Sequence, residues 1–235
     1  QTAEDTIASL ASIGVASRLG EAFHYSNQMV STAGYLTALA AGGHYGTLGA
    51  DYTDLVEQRI FAPLGMERST FSFERVQAED NYAVPYGLHM DLSFKPLPLE
   101  MEAYWLEPTR PSSAAWSTVR DLAQYMIMEL NGGVAVDGTR IVSAENLAHT
   151  WEPQVPINET DAYGLGWFVS DFYGLKLLSH GGNTLGFTSQ FAFLPQLNLG
   201  VVVLTNQRLS YLNDAVEKRL LEMLFGLPYS ADGAQ

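Results

Sequence analysis

The chain has 235 residues, enough to bury a sizeable core in one large domain or two small ones. Its hydrophobic content of 47% and aromatic content of 11% exclude global disorder. Twelve basic against 26 acidic residues give a net charge of −14, which excludes a basic nucleic-acid footprint and attraction to an anionic membrane.

In chain order, the first two thirds read mainly helical. A short helix near 4–13 leads into an irregular stretch and then Tyr25-Ser26-Asn27. Ser26 or Asn27 is placed to cap a helix over about 28–41, with Met29, Ala33, Leu36 and Leu39 as its apolar positions and Gly42-Gly43 as its end. Asp51 is expected to open the next helix, in which Tyr52, Leu55, Val56 and Ile60 share a face until Pro63 stops it. Residues 72–115 have no clean period, are rich in proline and read as a long loop-rich excursion. Ser117 is expected to cap an amphipathic helix presenting Val119, Leu122, Met126 and Leu130, closed by Gly132-Gly133.

From 163 the period changes to two. YGLGWFVSDFYG and LKLLSHGG predict strands joined by a turn at Tyr173-Gly174. GFTSQFAFLPQLNLGVVVLTN predicts two more, with Phe187, Ser189, Phe191 and Phe193 on one face, a turn over 195–198 and a buried run at 201–204. Leu212, Val216, Leu220 and Leu224 mark a closing helix. The fold class expected is α+β, an antiparallel sheet with flanking helices plus a mainly helical region. Residues 1–160 are expected to form the helical region, carrying Tyr25-Ser26-Asn27, and 161–235 the strands, His180-Gly181-Gly182 and last helix of one and the same domain.

Several sites are excluded by inspection. There is no G-x-S-x-G, H-E-x-x-H, P-loop or G-x-G-x-x-G pattern, and no cysteine to form a disulfide or thiolate metal site. The five histidines are scattered without helical ligand spacing, so neither metal nor cofactor is expected. No stretch approaches the ~20 apolar residues of a membrane span. Among the histidines, His180 stands out because Gly181-Gly182 follow it at an expected strand end. Glycines there let a ligand approach the backbone and free amides to donate to an oxyanion; the plainer reading is a tight hairpin.

Tyr25-Ser26-Asn27 and His180-Gly181-Gly182 together resemble the second and third motifs of the serine β-lactamase and penicillin-binding-protein superfamily, in its class C β-lactamase-like esterase and D-peptidase branch. RIFAPLGMERSTF (59–71), AVPYGL (83–88), SSAAWSTVRDLAQYM (112–126), YGLGW (163–167) and SHGGNTLGF through VVVLTN (179–206) agree in the same order. The resemblance implies a β-lactamase-type α/β sandwich cleaving an ester or amide through an acyl-enzyme. Its nucleophile is the serine of an S-x-x-K motif. Here Lys95, Lys176 and Lys218 are preceded three places earlier by Leu92, Tyr173 and Ala215, so no S-x-x-K exists in these 235 residues.

The expectation is therefore that an N-terminal segment of the same protein supplies the serine and lysine. By the same resemblance Tyr25 is the base, and His180 stands where many relatives carry a second lysine. Asn27 orients lysine and substrate, and Gly181, Gly182 and the amide of Asn183 line the oxyanion site; Ser26 is not the nucleophile. Without that segment, the apolar faces carrying Phe191, Phe193, Val201 and Val203 are expected to be bare. Tyr82, Tyr86, Tyr104 and Trp105 are candidates to wall the pocket. The partners implied are a small-molecule or peptide ester or amide and the N-terminal segment; periplasmic or secreted location is favoured. The alternative is a non-catalytic relative that binds peptide or assembles as a scaffold.

Overall fold

A computed structural model describes residues 1–229. The chain begins with α1 (Ala3–Ser9), whose Thr2 cap and Asp5 form a reciprocal capping box, continued by a 3₁₀ turn. In α2 (Asn27–Ala40) Ser26 is the cap, its hydroxyl accepting the Met29 amide at 3.2 Å. The face that α2 buries is not the apolar stripe of the sequence. Ser31, Thr32, Tyr35 and Ala38 are enclosed, whereas Met29 and Leu36 are 56% and 53% exposed. Hydrogen bonds account for the inversion: the Tyr35 hydroxyl donates to the Pro108 carbonyl at 3.1 Å and Ser31 to that of Thr109 at 3.2 Å.

Helix α3 (Leu48–Val56) starts three residues before Asp51. The Asp51 carboxylate is instead spent closing the preceding loop, accepting the His44 amide at 2.7 Å and the Thr47 hydroxyl at 2.8 Å. A π-helical turn (Glu57–Phe61) extends α3 toward Pro63. The excursion at 72–115 is more ordered than its composition suggests. It contains α4 (Phe73–Gln77), the antiparallel pair β1 (Tyr86–Leu88) and β2 (Phe94–Pro96), α5 (Leu99–Leu106) and α6 (Arg110–Ser113). These pieces are each too short to carry a readable period.

Thr118, not Ser117, caps α7 (Val119–Leu130), accepting the Asp121 amide at 3.2 Å. Ser117 pairs with the Ser69 hydroxyl at 2.8 Å, and Val119 lies outward. After α8 (Ala144–Thr150) comes a six-stranded antiparallel meander: β3 (Val155–Pro156), β4 (Ala162–Tyr163), β5 (Phe168–Phe172), β6 (Leu175–Asn183), β7 (Thr188–Leu194) and β8 (Leu199–Thr205). Tyr173 and Gly174, both at positive φ, turn β5 into β6, and Asn198, also left-handed, precedes β8. Each strand of the meander pairs with its sequence neighbour, and β8 is its last strand among the described residues.

One apolar core (Phe61, Leu64, Met66, Phe71, Met128) lies within the helical region; another (Trp167, Val169, Leu178, Phe193) seals α7 against the sheet. Phe193, expected to be bare, is only 1% exposed because Trp151 and Trp167 pack on it. Phe191, Val201 and Val203 are half-buried, so the 201–204 run is not fully enclosed. The last helix, α9 (Leu212–Leu224), is also inverted. It lays Asn213, Glu217 and Leu221 on the sheet, and the stripe read as its core face points outward, with Leu212 59% exposed. Asn213 Nδ2 donating to the carbonyls of Thr188 and Val203, and Gln190 donating to Glu217 at 2.6 Å, fix that orientation.

Candidate active site

The turn into α2 and the end of β6 meet. Tyr25, held beside Phe23, brings its ring to 6.0 Å from that of His180, centroid to centroid, across 155 residues of sequence. Its hydroxyl makes no hydrogen bond among the described residues, and partial burial raises its pKa above 10. Asn27, the first residue of α2, keeps an exposed carboxamide on the same turn.

His180 does not end its strand, as its glycines suggested. The strand β6 runs on to Asn183, with His180, Gly181, Gly182 and Asn183 opposite Phe191, Gln190, Ser189 and Thr188 of β7. The reversal is made by the turn over 184–187, where the Thr184 amide donates to the Phe187 carbonyl at 3.0 Å. A Cβ on Gly181 would meet Gln190 Oε1 at 2.8 Å and one on Gly182 the Ser189 hydroxyl at 2.6 Å, so both glycines make room for cross-strand neighbours. Strand β5 pairs with β6 only as far as Ser179, leaving His180–Asn183 with β7 as their one strand partner. The Asn183 side chain is occupied structurally: its Oδ1 accepts from the Thr188 hydroxyl at 2.9 Å and the Leu209 amide at 3.2 Å.

The imidazole of His180 has two partners. Nδ1 lies 2.7 Å from the Gly181 carbonyl and Nε2 3.0 Å from the Tyr163 hydroxyl. A carbonyl only accepts, so Nδ1 carries a hydrogen; in the neutral ring Nε2 then accepts from Tyr163. Burial is the main influence on this histidine and lowers its pKa below 6.5, the Gly181 bond opposing it. The Tyr163 phenol is pushed up to about 12 by burial, with Tyr25 adding to the rise. At neutral pH the cluster of Tyr25, Tyr163 and His180 is therefore uncharged.

Beside His180, a cleft of about 360 Å³ opens between α7 and the sheet. Leu122 and Tyr125 of α7, Leu165, and Phe191, Val202 and Leu204 of the sheet line it. No three His, Asp or Glu side chains converge as a metal site among the described residues, and no described helix is long and apolar enough to cross a membrane. Tyr104 and Trp105, candidates to wall a pocket, are largely exposed.

Sequence reasoning missed two residues at this site. Tyr163 lies in the YGLGW stretch, but nothing in its spacing says that it reaches His180. Glu102 is hidden in the excursion: fully enclosed, it accepts the Thr184 hydroxyl at 3.1 Å and the Gly186 amide, both in the turn after β6. A lone acidic residue in an aperiodic segment gives no sign of this.

The family model described as Beta-lactamase matches residues 1–222. The chain is 28% identical over 187 residues to Unguisins hydrolase ungD' of Aspergillus campestris, covering 78% of this chain and 33% of that protein. It is 26% identical over 164 residues to Penicillin-binding protein 4 of Amycolatopsis lactamdurans, covering 67% and 42% respectively. The octameric penicillin-binding protein homologue from Pyrococcus abyssi superposes with a TM-score of 0.78 at 27% identity, over 96% of this chain and 48% of that one. The chain thus spans less than half the length of each of these three.

Proposed function

The chain belongs to the β-lactamase family, and from that premise we propose that it is the C-terminal portion of a serine hydrolase that cleaves an ester or amide through an acyl-enzyme. The observation that carries this reading is the approach of Tyr25 to His180 beside an apolar cleft, in a chain without S-x-x-K. A relative whose name is a hydrolase supports the reaction class.

The nucleophile in this proposal is a serine on an upstream segment that lies in the cleft between α7 and the sheet. The serine hydroxyl gives its proton to Tyr25 as its oxygen bonds to the substrate carbonyl carbon. The tetrahedral intermediate collapses, the carbon–heteroatom bond breaks, and the leaving alcohol or amine takes the proton back from Tyr25. Water then gives a proton to the same phenolate as its oxygen bonds to the acyl carbon; the carbon–serine bond breaks, the acid leaves, and the serine oxygen takes the proton back from Tyr25. A phenol whose pKa lies above 10 is a poor base at neutral pH. A cation must stabilise its phenolate, and the uncharged His180 does not supply one. That places the need on the lysine of the same upstream segment.

The side of His180–Asn183 that β5 leaves unpaired offers backbone groups to an extended substrate, with the Asn183 amide as one oxyanion donor and Asn27 reaching the acyl group. Periplasmic or secreted location belongs to the same proposal.

The test is fluorophosphonate labelling of the 235 residues alone and co-expressed with the upstream segment. Label on the upstream serine, only when both pieces are present, is the expected result. Label on the 235-residue piece would put the nucleophile inside it, and no label on the complete protein would remove the hydrolase reading.

A further inference from the structure

We infer that Tyr163 is a positioning residue for His180: it occupies Nε2, holds the ring as the neutral Nδ1–H tautomer, and so leaves the Tyr25 hydroxyl free of the imidazole. This rests on the proposed role of Tyr25 and adds to it a residue that acts through the histidine.

The geometry is restrictive. His180 has two polar atoms and both are taken, Nδ1 by the Gly181 carbonyl at 2.7 Å and Nε2 by Tyr163 at 3.0 Å. No ring atom remains to bond Tyr25 or a substrate unless Tyr163 gives way. Tyr163 is itself braced, with its ring 5.0 Å from both Phe23 and Phe168 and its backbone paired with Val155 and Phe168. The Phe168 ring also lies 5.4 Å from that of His180, tilted by 44°, so one side chain packs on both members of the pair. The Tyr25 ring lies 6.2 Å from that of Tyr163, edge-on to it, and its hydroxyl makes no hydrogen bond to Nε2.

The groups near the imidazole are Tyr25 ahead of α2 and Tyr163 on β4, with Ser189 of β7 and Tyr125 of α7 lining the same cleft; all are neutral at neutral pH. Protonating His180 turns Nε2 into a donor, and the Tyr163 oxygen can accept from it. The pair therefore keeps its geometry in both states, by rotation of one hydroxyl.

The experiment uses the complete protein labelled with ¹⁵N-histidine. Tyr163→Phe keeps the ring packing and removes the hydroxyl. The His180 Nε2 resonance is expected to move to the position of an unbonded imine nitrogen in Tyr163→Phe and to stay in place in Tyr25→Phe. Ester turnover is expected to fall roughly 2- to 10-fold in kcat for Tyr163→Phe, the worth of one neutral hydrogen bond, with KM little changed. In a His180→Ala background the same substitution should cost nothing further. A residue that merely packs would cost the same in both backgrounds. An unmoved Nε2 resonance in Tyr163→Phe, an equal movement in Tyr25→Phe, or additive kinetics overturns the inference. The resonance is readable whether or not the protein hydrolyses esters, so failure of this pairing and failure of the proposed reaction are separable.

Discussion

Glu102 and Thr184 are 82 residues apart and joined at 3.1 Å, carboxylate to hydroxyl, with the Gly186 amide on the same Oε1 atom. That contact pins the excursion to the turn following the His180 strand. Glu102→Ala leaves the enclosed Gly186 amide and the half-buried Thr184 hydroxyl without this partner, and is expected to lower unfolding free energy by about 1–3 kcal/mol. Glu102→Gln keeps an acceptor and should cost less. Urea denaturation of both variants checks this; an Ala variant as stable as the wild type would show that the clamp has no energetic role.

The same turn is sterically closed on its other side. A Cβ at Gly186 would run into the Pro85 ring and approach the Tyr86 nitrogen at 2.9 Å, neither of which can rotate away. Gly186→Ala is expected to cost about 1–3 kcal/mol, as overpacking does. Gly182→Ala meets only the Ser189 hydroxyl, the end of a side chain that can turn, and should cost less. Equal losses in chemical denaturation would contradict this ranking.

Three enclosed carboxyls set an unusual pH response. Burial is the leading cause that raises Glu102, Glu129 and Glu217 above 4.5. An acid whose folded pKa is raised binds more protons in the native state than in the unfolded one. Its stabilising contribution is present below the unfolded value and is lost as pH rises through the folded one. Asp51 and Asp91 act oppositely, the latter held down to about 2 chiefly by Lys95, and their contribution is lost as pH falls below about 3.8. The stability maximum is therefore expected between about pH 3.8 and 4.5, and unfolding at pH 7 should need less urea than at pH 4.5. Glu129→Gln, which keeps an acceptor for the Trp151 indole, should flatten that slope. Greater stability at pH 7 would reverse the assignment.

For the complete protein, Tyr25→Phe keeps the aromatic ring and removes the proton acceptor. Acylation is expected to slow by ~10²–10⁴-fold, the usual scale of lost general-base catalysis. His180→Ala should cost less and reshape the pH–rate profile. Wild-type hydrolysis of a nitrophenyl ester by Tyr25→Phe would dismiss Tyr25 as the base.

What was legible in the sequence follows from how each residue is stabilised. The β5–β6 turn was readable because Tyr173-Gly174 carries its own backbone signature, and the meander because its strands pair in order. The inner faces of α2 and α9 were not. Both helices bury polar residues satisfied by distant partners, such as Tyr35 on Pro108 and Asn213 on Thr188 and Val203, and a hydrophobic period cannot register those bonds. Similarly, Asp51 and Ser117 looked like helix starts but serve other contacts. Of the candidate site, Tyr25 and His180 are marked by their motifs, whereas Tyr163 and Glu102 depend on three-dimensional neighbours alone.

The meander is uneven in strength, and the site straddles the unevenness. His180 sits on nine-residue β6, zipped to β7 over six pairs, while Tyr163 rides on two-residue β4, held by two pairs to β5 and two to the two-residue β3. Short terminal strands open locally at far less than the cost of global unfolding. Amide hydrogens around Ala162 and Tyr163 should exchange with deuterium well before those of Leu178 or Ala192. The histidine is thus anchored on the long β6–β7 ladder, and its tyrosine partner is carried by the fringe expected to open first.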